Sequence, residues 1–325
     1  MNNFRFADCH SCLPVRPDAD VNMLKLHYDA GCRYVSINVG MDLQPVSQIF
    51  STIASFRRQI SESDFLIQAE NFSDIERAFR EEKLAVSFDL EGSLPLLDNK
   101  DTIALYKKLG LRQIHLAYNR NNAIAGGAHD PVKQGLTKFG EEIVREIHRL
   151  GILMDLSHSS EETARDICAL SRTLNKPVLY SHANPRAVVQ HERNISDEII
   201  QEVAKTGGII AINGVAKFVG SADLNPLALI PHIEHCVALV GTDKVAIGLD
   251  YCYDDGISDI PSDCNRGFWW PVQSGYGENG LGGKYISPEN LCKINEELAK
   301  LNYKEDEITA ICSKNLLNLI QRIWN

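Results

Sequence analysis

No stretch of this sequence holds about 18 apolar residues in a row, so nothing in it reads as a membrane-spanning helix. The start, MNNFRFADCH, has neither the basic head nor the apolar stretch of a secretory signal. Positive charge is scarce: 33 Lys and Arg against 43 Asp and Glu leave a net charge of −10. Such a chain repels a phosphate backbone, which argues against nucleic acid as a partner. No Gly-x-Gly-x-x-Gly follows the first apolar run, so the fingerprint of a dinucleotide-binding sheet is missing. There is no low-complexity segment and no Pro/Ser-rich linker. The nine cysteines are odd in number and irregularly spaced, in a chain too large to need disulfide staples. That usage reads as a reducing, cytoplasmic compartment with free thiols.

What is present is an ordinary globular balance, 44% apolar and 23% charged over 325 residues, enough for a sizeable core. Short apolar, β-branched runs recur eight times: FRFADCH (4–10), RYVSINV (33–39), LAVSFDL (84–90), RQIHLAY (112–118), ILMDLSH (152–158), PVLYSH (177–182), GIIAING (208–214) and KVAIGLD (244–250). Buried parallel strands have this look. Between them lie segments of helical spacing. VNMLKLHYDAG sets Met23, Leu24, His27 and Tyr28 on one face, and TIALYKKLG and FGEEIVREIHRLG each close on glycine as a helix C-terminus does. Eight β-then-α units predict a (β/α)8 TIM barrel of the α/β class rather than a doubly wound open sheet. The expectation is one barrel domain over 1–325. Within it, 251–287, with seven glycines and clustered aromatics, forms a long loop over the mouth, and helices in 288–325 pack on the barrel.

Barrel enzymes hold their chemistry at the C-terminal ends of the strands. Those ends read His10 and Cys12, Glu91, Tyr118, His158, His182 and Asp250. Imidazole, carboxylate and thiolate on one rim describe a zinc-type site. Taken singly, each histidine has a blander reading as a hydrogen-bonded core residue; it is the clustering that carries the argument. Trp269 and Trp270 wall the substrate pocket or bury a dimer contact, and Asn119, Asn121 and Asn122 read as loop-fixing residues.

Several longer stretches resemble the membrane (renal) dipeptidase family, zinc peptidases of the amidohydrolase superfamily. They are FDLEGSLPL (88–96), LAYNRNNAIAGG (116–127), GLTKFGEEIVREIHRLGILMDLSHSS (135–160), PVLYSHANPRAVVQHERNISDEII (177–200) and VAIGLDY (245–251). The resemblance implies a zinc-dependent barrel, commonly a homodimer, that cleaves the amide bond of dipeptides, some with a C-terminal D-residue, through a zinc-activated hydroxide. It implies two zinc ions. His10 resembles the histidine of the family's His-x-Asp, Glu91 the bridging carboxylate, and His158 and His182 the ligands of the second metal. Arg193 in HERN resembles the arginine that holds the substrate carboxylate, and Asp250 the aspartate that handles the proton. Two positions depart from the pattern. Cys12 stands where the family has aspartate, and Tyr118 stands where it has a substrate-binding histidine.

A hydrogen bond from Tyr118 to the oxyanion takes the place of the missing histidine. Alternation along an extended strand end turns His10 and Cys12 to one side, with Cys9 and Ser11 facing the helical layer. A redox Cys-x-x-Cys needs both sulfurs near a helix N-terminus, which this segment does not offer. Cys12 is then a thiolate ligand, or the first site is weak, empty or filled by a different metal. The competing functions are an amidase for another small carboxylate-bearing amide, and an inactive metal-binding barrel that serves as a binding protein. If Cys12 is a ligand, metal analysis of the purified protein should find two equivalents of zinc, falling to one in Cys12→Ser.

Overall fold

The computed structural model describes residues 5–277 and 283–324. The first expected strand and the mouth loop each run partly outside that set, at residue 4 and at residues 278–282. All eight expected strands are found: β1 (Phe6–Cys12), β2 (Cys32–Met41), β4 (Leu84–Glu91), β5 (Leu111–His115), β6 (Leu153–Asp155), β7 (Leu179–Tyr180), β8 (Ile209–Ile212) and β9 (Val245–Ile247). Two short strands are additional, β3 (Leu66–Gln68) and β10 (Tyr251–Cys252). Every pairing is parallel, in the order β10-β1-β2-β4-β5-β6-β7-β8-β9, with β3 beside β4 off the path. Because β9 and β10 flank only residues 248–250, the sheet returns on itself as a barrel. Gly248 N–H donates to Ile212 O, and Asp250 N–H donates to His10 O, across that gap.

Outward-facing side chains such as Val35, Phe88, Ile114, Met154 and Ile210 meet the helices in the main core. A second cluster draws Ala7, Tyr34, Ala85, Leu153, Ile209 and Ala246 from strands all around the sheet, so it fills the inside. The last helix, Asn315–Ile323, adds Leu316, Leu319 and Ile320 to it, and Arg322 donates to Gly207 O where β8 is about to begin. That helix therefore floors the barrel below the strands' N-terminal ends. The expected helices between strands are present, and Val46–Glu62 and Phe72–Arg80 join them after β2 and β3. No described helix is long and apolar enough to cross a membrane. All nine cysteines are free.

One expectation for β1 is corrected. Ser11 does face the helical layer, with its Oγ donating to Asp8 Oδ2 near His27. Cys9 instead packs in the interior cluster. The cause is a register shift between Asp8 and Ser11 in the pairing with β2, which breaks strict alternation.

Asp8 closes the barrel chemically. Its carboxylate accepts from Ser11 Oγ at 2.7 Å, His27 Nε2 at 3.0 Å and Leu249 N–H at 2.9 Å, so one side chain ties β1 to an outer helix and to the segment between β9 and β10. Asp8→Ala leaves these buried donors unpaired, at a cost of about 3–5 kcal/mol. Thermal unfolding of the metal-free protein should show a midpoint lowered by roughly 10 °C.

Candidate metal centre

Strands β1 and β4 reach His10, Cys12 and Glu91, but β5, β6, β7 and β9 stop short of Tyr118, His158, His182 and Asp250. Past the last ladder pair the chain turns sharply, and Asn119, His158 and Asp250 all adopt left-handed backbone conformations, with φ of +63°, +65° and +53°. Such positions cost of order 1–3 kcal/mol each and persist where the surroundings hold them. After Glu91 the turn falls on Gly92, at φ +127°, where a Cβ would lie 2.1 Å from Asp42 Oδ1.

Strands β1 and β5 and the turns after β6 and β7 together bring four imidazoles toward one oxygen. Glu91 Oε1 lies 3.3 Å from His10 Nε2, 3.3 Å from His158 Nε2, 3.7 Å from His182 Nε2 and 3.9 Å from His115 Nε2. Glu91 Oε2 accepts from Asn38 Nδ2 at 2.6 Å. His10 Nε2 also has Cys12 Sγ at 3.4 Å and Asp250 Oδ1 at 3.7 Å. His10 and Cys12 thus share a side, as expected. The thiol that faces Cys12 across the ladder is Cys252, its register partner on β10. Donor atoms gather in three sets whose members lie within 4.8 Å of one another: His10, Cys12 and Asp250; His10, Glu91 and His182; and Glu91, His115 and His158. His158 and His182, expected to share an ion, fall in different sets.

Each imidazole is oriented from behind. Asn119 Nδ2 donates to Trp269 O, so its Oδ1 accepts from His158 Nδ1–H at 2.7 Å and leaves the Nε2 lone pair free. Ser181 gives its O–H to Asp155, so its oxygen accepts from His182 Nδ1–H at 2.7 Å. His10 Nδ1 lies 3.2 Å from Asp89, which Ser36 also holds. Asn119, a loop-fixing residue by its sequence, is thus also the support of the His158 ring. His115, Asp155, Asp89 and Asn38 were not singled out at all, although a period-2 reading of the polar residues in β4 and β5 puts Asp89, Glu91, Gln113 and His115 on the inner face.

Burial opposes a charge on His10, yet Asp89 and Glu91 lift its pKa well above the ordinary imidazole value. Burial works to raise Glu91 too, but His10 and His158 hold it well below the usual carboxylate range. Burial lowers His158 and His182, with Arg193 helping at the first and His10 at the second. Burial pushes Asp250 up to about 6 against the pull of His10. Cys252 and burial keep the Cys12 thiol well above its ordinary value. Asp155 is the opposite case: burial alone would raise it, but hydrogen bonds from His115 and Ser181 bring it down to about 2.

A metal ion fits these residues. His115 Nε2 and His182 Nε2 are buried with no hydrogen-bond partner, which is costly for a polar atom unless something else fills the lone pair. The mixed nitrogen, oxygen and sulfur donors suit a divalent ion of borderline softness.

A cavity of about 510 Å³ opens above the centre, lined by Cys12, Glu91, Tyr118, His158, Arg193 and Asp250 among others. Tyr118 stacks on His158 with 4.4 Å between ring centroids, and its hydroxyl accepts from Trp270 Nε1 at 3.1 Å. Trp270, 2% exposed, is a wall of this cavity. In HERN, three residues are anchors. His191 Nε2 reaches Ser274 O and its Nδ1 accepts Arg193 N–H. Glu192 takes His129 and Ser274, and Asn194 Nδ2 donates to Val189 O and Phe218 O. Arg193 is left presented over the Phe218 ring, 5.5 Å from its centroid.

A parallel barrel with buried imidazoles and carboxylates at its C-terminal rim is the architecture of a metal-dependent hydrolase. The family model described as membrane dipeptidase (peptidase family M19) matches residues 15–266, and the chain belongs to that family. Its fold is shared with an amidohydrolase from Pseudomonas aeruginosa, at 22% identity over 98% of this chain and 96% of that one, TM-score 0.83. A metallo peptidase from Rhodobacter sphaeroides, liganded with a phosphinate mimic of the dipeptide L-Ala-D-Ala, superposes at TM-score 0.80, with 18% identity over 99% and 100% of the two chains. The probable dipeptidase PvdM from Pseudomonas aeruginosa gives 0.77, with 17% identity over 98% and 95%.

Asn119→Gly keeps the left-handed backbone but removes the acceptor behind His158. Zinc affinity, measured by competition with a chromogenic chelator, should fall by about 10- to 100-fold.

Proposed function

We propose that this chain is a zinc-dependent dipeptidase, with His10, Cys12, Glu91, His158 and His182 as metal ligands. Its substrate is a dipeptide with a free C-terminal carboxylate. The observation that carries the substrate class is Arg193. Its guanidinium is 3% exposed and lines the cavity, and its Nε and Nη2 have no hydrogen-bond partner. A buried guanidinium without an anion is costly, and its planar fork matches a carboxylate. Family membership supports the reaction. The dipeptide mimic in the Rhodobacter sphaeroides peptidase, a chain of the same fold, is in keeping with this substrate size.

Zinc held by these ligands supplies Lewis acidity, lowering the pKa of water and polarising an amide carbonyl. The chain's own residues do the rest. Arg193 fixes the substrate carboxylate and so sets the scissile amide over Glu91. Asp250 Oδ2 is occupied by Asn213 Nδ2 at 3.0 Å, so Oδ1 is the atom that takes the proton from the attacking water and passes it to the leaving nitrogen. Tyr118 accepts from Trp270 and keeps its own O–H to give to the oxyanion. The aromatic walls Phe218, Trp270 and Tyr276 exclude water around the substrate side chains.

Zinc-loaded protein should release amino acids from members of an L,L and L,D dipeptide panel; no release from any of them sinks the substrate assignment. The same peptides with an amidated C-terminus should be cleaved at least about 100-fold less efficiently, and Arg193→Met should erase that preference by losing the free-acid substrates. Asp250→Asn should lower kcat by about 100-fold or more.

A further inference from the structure

His115 plays no part in the ligand set above, yet it is built like a ligand. It is 1% exposed, and its Nε2 is buried without a hydrogen-bond partner, 3.9 Å from Glu91 Oε1. Its Nδ1 lies 3.5 Å from Asp155 Oδ2. Asp155 is itself held by Ser157 and by Ser181, so its oxygens are fixed in place. A proton on Nδ1 directed at that carboxylate leaves the Nε2 lone pair pointing into the centre, the arrangement by which carboxylates orient metal-binding imidazoles. The placement follows from strand register. Glu91 on β4 is the ladder partner of His115 on β5, and His115 is the partner of Asp155 on β6. Anion, imidazole and orienting carboxylate therefore stand side by side on the barrel's inner wall. The His115 ring stacks on His158 with 5.0 Å between centroids and 26° between planes.

We propose that His115 is an additional metal ligand of this chain, its Nε2 completing a site with Glu91 and His158. This rests on the metal-binding reading above but not on the substrate. The competing account is a core histidine that only props up Asp155. That account leaves a buried ring nitrogen unpaired beside a carboxylate, which native interiors avoid. Another is a doubly protonated ring bridging Asp155 and Glu91, which would compete with the ion instead of binding it.

Two measurements on the full chain decide. In zinc-loaded crystals, anomalous diffraction at the zinc edge should place a peak at about 2.1 Å from His115 Nε2. Peaks only at the other ligands, 3 Å or more from that atom, overturn the proposal. In solution, His115→Gln should raise the zinc dissociation constant of one site at least about tenfold, since outer partners of ligands alone are worth that much. An unchanged constant means a structural role, and a tighter one means the protonated bridge; either overturns the proposal. The crystal readout uses the parent protein, so a variant that fails to fold does not remove the test. Zinc bound with His115 but no dipeptide cleaved would sink the substrate assignment and leave this inference standing.

Discussion

Glu91 Oε1 is an anionic oxygen at the top of the barrel with four imidazole nitrogens within 3.9 Å of it. Lone pairs and negative charge facing one another in a dry interior repel, and only a cation between them turns the repulsion into binding. Asp89 and Glu91 raise the pKa of His10 against its burial, whereas burial lowers those of His158 and His182. Much else near the rim serves to hold this unfavourable cluster still. Asn38 fixes the second oxygen of Glu91, and Asp89, Asn119 and Ser181 each fix one ring.

Asp155 has the widest reach among these supports. It contacts His115 directly and His182 through Ser181, while Ser157 N–H and Ser181 N–H fix it from the turns after β6 and β7. Two imidazoles that fall in different donor sets thus depend on one carboxylate. A change in how one ring is held passes to the other through a single hydroxyl, a short physical route for coupling between the two donor sets.

Most of the architecture was legible because buried parallel strands announce themselves as apolar runs, and all eight were found. Their ends were less so. The run RQIHLAY suggested a strand up to Tyr118, but the ladder stops at His115. Leu116 and Ala117 stay apolar because the turn above the barrel is as buried as the strand. That hid His115, three residues before Tyr118. Cys9 was misplaced for a related reason: a register shift in β1 leaves no mark in composition, and alternation fails silently there. The ligand candidates did emerge, because His and Asp at the close of an apolar run stand out against their neighbours. Their supports did not, since Asn119 or Asp155 looks like any turn residue until its partner, dozens of positions away, is known.

Asp8 and Leu249 are 241 residues apart, and their hydrogen bond lies at the seam where the sheet meets itself. During synthesis the first strand emerges with Ser11 and His27 close behind for its buried carboxylate, but with Leu249 still to come. The carboxylate's hydrogen bond from Leu249 must wait for a segment 241 residues further on. The rim obeys the same schedule, since His10 and Asp250 come from opposite ends of that interval. Pairing of His10 with Asp250 is therefore a late event in folding, because it needs a contact of long sequence separation.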